Sequence, residues 1–198
     1  PRRPADEDAQ PLHETYSYEH AESAAFGYIV IYVDDFLIIS DDPFIGAVRD
    51  KLEAKWKITD KPTVSFGSGL SIEYLSVNIT AESDGFFLDQ AVYTQDMLAK
   101  WSMDECRATN NLEDVQEDPE PEHDPDPRDV HQAQRLAGGL NWLSTRTRPD
   151  ISFTVSQLSS AATRAPLRAI ALGKKVLRYI AGTRDHGIRM ADNGALRS

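Results

Sequence analysis

The 198-residue chain carries 32 acidic and 21 basic side chains, a formal net charge of −11, with 40% hydrophobic residues and one cysteine. That length allows one ordinary domain with a core, or two small lobes. A single cysteine excludes an internal disulfide and fits a reducing compartment. With no charged-then-apolar leader and no long apolar span, an intracellular protein is expected, cytoplasmic or nuclear, without membrane contact.

In chain order, residues 1–26 read as an unstructured N-terminal tail, and Pro1 in place of Met suggests a fragment or processed product. The run Tyr28-Ile29-Val30-Ile31-Tyr32-Val33-Asp34-Asp35-Phe36-Leu37-Ile38-Ile39 follows. Its arms are rich in β-branched and aromatic residues that favour strands, so strands are expected at 27–33 and 36–40, with the two acids at the bend of a hairpin. Burying ionised carboxylates beside a core is costly unless something neutralises them. A hard divalent cation, above all Mg²⁺, is the natural neutraliser of such a pair. The plain alternative is turn chemistry, because Asp tolerates tight bends and bonds its own backbone. A membrane span is excluded by two aspartates in mid-segment.

Asp41-Asp42-Pro43 supplies an N-cap and a proline suited to a first helical turn. Phe44, Val48, Leu52 and Trp56 then recur on one helical face. Strands are expected at 64–67, 72–79 and 85–89, and a helix at 91–102 burying Val92, Tyr93, Met97 and Trp101. The stretch from Glu113 to Pro127 is almost devoid of apolar residues, so 104–129 reads as an acidic, Pro-rich linker, either a solvated spacer or an acidic mimic that competes for basic surfaces. Beyond it Ala133, Leu136, Ala137, Leu140 and Leu143 form the stripe of an amphipathic helix. Two more helices at about 150–161 and 166–181 complete a small lobe over 130–190, and 191–198 reads as a tail.

Charge divides along the same line. From His131 onward eleven cations face three acids, a net of +8, which leaves −19 for the first 130 residues. Arg146, Arg148, Lys174, Lys175 and Arg178 could therefore line a nucleic-acid backbone, which needs only suitably placed cations. The alternatives are a solvated helix face and, for Arg148-Pro149-Asp150, a helix start. The five histidines show no metal-ligand spacing, and Cys106 has no partner motif.

Several blocks, in order, carry a family resemblance. Tyr32-Val33-Asp34-Asp35 resembles the Tyr-x-Asp-Asp box of reverse transcriptases, and Ile31 to Pro43 resembles the copia-type retrotransposon enzymes in particular. Tyr74 to Ile79 is similar to that family's primer-contacting hairpin, and Asp84 to Tyr93 to its "DG-x-x-L-x-Q-x-x-Y" segment. Leu140 to Ile151 resembles the "L-x-W/Y-L-x-x-x-TRPDI" block. Ser156 to Ser159 and Lys175 to Thr183 follow in the family's order. Together the matches cover roughly residues 27–190.

The resemblance implies an α+β fold: a partial reverse-transcriptase palm with the carboxylate hairpin, primer-grip hairpin and start of the thumb over 27–103, then a helical thumb and connection lobe. It implies an RNA-directed DNA polymerase with two Mg²⁺ ions, or Mn²⁺ in their place, an RNA template, a DNA primer and deoxynucleoside triphosphates. Asp34 would ligate metal directly, with Asp35 beside it. Tyr32 and Val33 would lie near the primer end, and Tyr74, Leu75 and Ser76 would form the primer grip. Ser76 stands where the family usually has Gly. A third metal-binding aspartate and the fingers belong upstream of residue 1, and RNase H downstream, so the isolated chain is expected to be inactive. The alternative is a nonenzymatic, retroelement-derived nucleic-acid-binding or scaffold remnant.

Overall fold

The computed structural model describes residues 14–19, 26–112 and 121–191. The protein is a mixed α and β structure that divides into two compact units, Pro1–Pro62 and Thr63–Ser198.

The first unit is a three-stranded antiparallel sheet of β1 (Glu14–Glu19), β2 (Phe26–Tyr32) and β3 (Asp35–Ser40), in that order. The tail expected over 1–26 is therefore part strand: Glu14 pairs with Ile31 and Tyr18 with Gly27. Strand β2 offers a free edge that a short, polar segment can satisfy, a signal invisible without knowing the neighbour. Helix α1 (Asp42–Glu53) follows β3 directly. Asp41 caps it, its Oδ1 accepting from the Phe44 amide at 3.1 Å, and Pro43 occupies the first turn. Phe44 is buried, and Val48 and Leu52 are half-buried along the expected face. Trp56 is not on that face, because the helix stops at Glu53 and leaves it 58% exposed. Gly27 is required where it stands, since a Cβ there would lie 2.6 Å from the Phe44 ring.

The second unit combines a sheet with a helical core. Strands β4 (Ser71–Tyr74), β5 (Val77–Glu82), β6 (Gly85–Asp89) and β7 (Gly187–Ala191) form an antiparallel sheet in that order. Helices α2 (Ala91–Lys100), α3 (Pro127–Arg146), α4 (Ser152–Ala161) and α5 (Pro166–Gly182) pack beside it, with a 3₁₀ turn at Pro149–Ile151 leading into α4. The expected stripe on α3 is buried in full, against Leu98 of α2, Val155 and Leu158 of α4, and Val176, Leu177 and Ile180 of α5.

The structure departs from the sequence-based expectations at five further points. Residues 64–67 are loop, and 72–79 are not one strand, because a turn at Leu75–Ser76 folds them into the β4–β5 hairpin. On α2 the buried face is Thr94, Met97 and Leu98, while Val92 is 73% exposed. Strand β7 was not anticipated: its Arg189 pairs with Phe87 in register and reaches Glu82 and Asp84 at 2.9 Å. The boundary also moves, since the compact units divide at 62/63 rather than near 103, and α2 shares its core with the helices beyond the acidic stretch.

That acidic stretch is only partly a spacer. The segment 113–120 lies outside the described residues, but both flanks are attached. The Thr109 amide donates to the Arg178 carbonyl at 3.2 Å, and Leu112 packs on the core. The Glu122 amide donates to the Arg164 carbonyl, and its Oε1 accepts from the Leu167 amide at 3.0 Å, which caps the start of α5. Helix α3 already begins at Pro127, capped by Asp126 accepting from the Arg128 amide at 2.8 Å.

Candidate functional site

Two antiparallel arms hold the paired aspartates. Tyr32 pairs with Asp35, so the hairpin turn is the two residues Val33 and Asp34. Val33 has φ 55°, where Cβ crowds the backbone, and its side chain is 84% exposed. A β-branched residue in that region is a genuine outlier, at a position that glycine normally fills in a two-residue hairpin. Strain of this kind, of order 1–3 kcal/mol, persists only where surrounding structure over-determines it. Here the paired strands on both sides do so.

Asp34 and Asp35 are both exposed, and Tyr32 is half-buried at the end of β2. The expected cost of burying these carboxylates therefore does not arise within this chain, which removes one argument for a neutralising cation. What remains is donor chemistry: two hard oxygen donors fixed on an exposed, rigid tip suit Mg²⁺. No cluster of three or more Asp, Glu, His or Cys able to hold a metal is assembled among the described residues. The tip by itself supplies two exposed carboxylates, Asp34 and Asp35.

The second expected site lies in the other unit. Tyr74 pairs with Val77, so Leu75 and Ser76 are the two central residues of a hairpin turn, with φ 51° and 61°. Both angles positive is the pattern of a type I′ turn, which favours Asn and Gly. Ser76 therefore holds a backbone conformation that glycine adopts at lower cost. Beyond the turn, Asn78 Nδ2 donates to Asp89 Oδ2 at 2.9 Å, and Asp89 Oδ1 accepts from the Ala91 amide at 2.9 Å. That pair couples the hairpin to the start of α2.

The five expected backbone-binding cations separate into two groups. Lys174, Lys175 and Arg178 lie on α5, with Lys174 and Arg178 exposed one turn apart. Arg146 stacks over the Trp142 ring on α3, its guanidinium carbon 4.4 Å from the centroid. Arg148 must be removed from the set. It is 2% exposed, and its guanidinium donates to both Asp150 oxygens at 2.9 and 2.8 Å, and to the Thr183 carbonyl and hydroxyl at 2.8 and 2.7 Å. Tyr179 completes the arrangement by donating to Asp150 Oδ2 at 3.0 Å. Burial pushes the Asp150 carboxyl up, but the Arg148 hydrogen bonds and charge, helped by the Tyr179 hydroxyl, outweigh it and hold the group below the usual carboxylate range. Burial and the Asp150 carboxylate together raise the Tyr179 phenol. The Thr-Arg-Pro-Asp block is thus a clasp between the end of α3 and the end of α5. Sequence reading missed Tyr179 and Thr183 as its partners, since nothing local ties them to residue 148.

Among the described residues no helix is long and apolar enough to cross a membrane. No protein-family model matches the chain, and no solved structure matches it. The chain is 28% identical to an uncharacterized mitochondrial protein of Arabidopsis thaliana over 172 residues, spanning 85% of this chain and 67% of that protein. It is also 28% identical to the retrovirus-related Pol polyproteins from transposons RE1 and RE2 of the same plant, over 183 and 179 residues. In each case the match spans 85% of this chain and 11% of the polyprotein. These similarities support a retroelement origin for the chain.

Proposed function

We propose that this chain is the segment of a copia-type RNA-directed DNA polymerase that carries the Asp-Asp hairpin, primer grip and thumb, and that it acts in two-metal nucleotidyl transfer within a longer polyprotein. The observation that carries the reading is Tyr32-Val33-Asp34-Asp35 at a strained hairpin tip, in a chain similar to Pol polyproteins. Asp34 would hold divalent metal, with Asp35 beside it tuning charge. When bound, such ions stabilise both the attacking and leaving oxygens of an in-line displacement. The protein's own part is rigidity, because carboxylates on paired strands keep their separation better than those on loops. Tyr32 and Val33 would border the primer end. Tyr74, Leu75 and Ser76 would hold the primer through backbone groups. Arg146, Lys174, Lys175 and Arg178 would follow the phosphates of an RNA–DNA hybrid.

Primer extension on an RNA template by a polyprotein containing this chain tests the reading. Extension should require Mg²⁺ and vanish when Asp34 and Asp35 are both replaced by Asn; extension that survives the double replacement contradicts it. A second reading, a nonenzymatic nucleic-acid-binding remnant, is favoured by one feature. The basic residues after His131 fall in a compact unit that does not include the aspartates. An intact duplex-binding activity with no extension by the full polyprotein would support it.

A further inference from the structure

A cleft of about 600 Å³ opens between the C-terminal end of α2 and the first turns of α3. Its walls include Lys100, Trp101, Arg128, His131 and Arg135, with Ser102 and Gln132 between them. Arg128, His131, Gln132 and Arg135 follow the i, i+3, i+4, i+7 spacing of one helix face. Lys100 and Trp101 are held opposite by a Schellman end to α2. The Met103 amide donates to the Leu98 carbonyl and the Ser102 amide to Ala99, both at 2.9 Å, with Ser102 at φ 54°. That closure is a rigid helix stop.

The chemistry of the walls is one-sided. Lys100, Arg128, His131 and Arg135 are all exposed, and none of their side chains forms an ion pair among the described residues. The acids nearby in sequence are Asp96 and Asp104, which flank Lys100–Ser102, and Asp126 and Asp129 at the start of α3; none of them lines the cleft, and Asp126 is engaged as the cap. Half-buried Trp101 adds an aromatic wall anchored on the core. Cations around an aromatic side chain form the combination that holds a single strand, phosphates on the charges and a base on the ring. A cleft of this volume is in the range of a small-ligand pocket and too small to enclose a duplex. Along α3 the same face continues to Trp142 and Arg146, whose guanidinium stacks over the indole ring.

We infer that this cleft binds the phosphodiester backbone of a single-stranded nucleic acid, with Lys100, Arg128 and Arg135 on phosphates and Trp101 against a base. The inference rests on the polymerase reading only for the choice of a nucleic acid over other polyanions. It adds a contact that is separate from Lys174, Lys175 and Arg178.

Titrating the full chain against a labelled short oligothymidylate at about 50 and about 200 mM salt tests the cleft. The double variant Arg128→Gln/Arg135→Gln should weaken binding about tenfold at the lower salt. It should also reduce the magnitude of the salt slope by about 1.4, two contacts at roughly 0.7 each for single strands. Its thermal melt should match the parent, because both side chains are exposed. The His131 ring resonance should move on adding oligothymidylate to the parent protein and stay in place in the double variant. A primed RNA–DNA hybrid, titrated in parallel with Lys174→Gln/Arg178→Gln, separates the two claims. Loss of hybrid binding in that variant with oligothymidylate binding intact supports the cleft as an independent site. Unchanged oligothymidylate affinity and slope in Arg128→Gln/Arg135→Gln overturn the cleft and leave the polymerase reading standing. No oligothymidylate binding at low salt, or displacement of the His131 resonance by polyglutamate alone, also overturns it.

Discussion

Arg148 shows how one side chain can look like a ligand contact in sequence and act as a structural clasp in the fold. Its guanidinium is enclosed by Asp150, Thr183 and Tyr179. Removing the Arg148 side chain leaves the buried Thr183 acceptors unmatched, a cost of about 1–3 kcal/mol, while Asp150, with 36% of its side chain exposed, regains water. Arg148→Ala should therefore lower the denaturant midpoint substantially, whereas Lys174→Ala, on an exposed face, should change it little; equal effects would contradict the clasp. The same network links stability to pH. The Asp150 carboxyl is held below its ordinary value, so its contribution is complete above the unfolded-state pKa and is lost as pH falls through the lower folded value. Denaturant midpoints measured from neutral pH to below about pH 4 should fall less steeply for Asp150→Asn than for the parent. Ser76 gives a prediction of opposite sign. Its φ of 61° is costly for an L-residue, by about 1–2 kcal/mol, and glycine removes that strain while adding unfolded-chain entropy. Ser76→Gly should stabilise the protein by about 0.5–1 kcal/mol, read from the melting temperature; destabilisation would show that the hydroxyl makes a contact worth more than the strain.

At the scale of elements, helix packing in the second unit depends on Gly173. A Cβ there would lie 2.1 Å from Leu136 Cδ2 and 2.9 Å from Leu158 Cδ1, where α3, α4 and α5 converge. Gly173→Ala should cost about 1–3 kcal/mol by overpacking, despite the better helix propensity of alanine, and unfolding curves would show it. Elements with a strong period were legible in the sequence. The buried stripe from Ala133 to Leu143 and the cap at Asp41 followed from spacing and local chemistry alone. What was not legible depends on distant partners. Strand β7 is short and half charged or exposed, and only its register with β6 makes it a strand. The β4–β5 turn has Leu75 and Ser76 where a two-residue turn favours Asn and Gly, so the residue pattern alone reads 72–79 as one strand, and only the resemblance points to a hairpin. The candidate site is legible as a motif, Tyr32 to Asp35, but the strain at Val33 and the exposure of both acids arise from where the two-residue turn falls in the folded hairpin.

For the whole molecule, polarity of charge decides how it should behave toward a duplex. The +8 carried after His131 is offset by strongly acidic sequence before it, so affinity for a primed RNA–DNA hybrid should fall steeply with salt rather than follow net charge. Replacing Lys174 and Arg178 by Gln should reduce the magnitude of the salt slope by about two, one per lost phosphate contact, and a salt-independent affinity would contradict this surface. The central claim, however, concerns Asp34. An amide has nearly the shape of a carboxylate and is equally at home in a tight turn, yet it lacks the charge that a hard cation requires. The turn reading and the metal reading thus make opposite forecasts for one substitution. The decisive measurement is Mg²⁺-dependent primer extension by the polyprotein containing this chain, with Asp34→Asn compared to the parent and a thermal melt of each. Lost extension with an unchanged melt is the predicted result; full extension by the Asp34→Asn protein would contradict the assignment of Asp34 as a catalytic carboxylate.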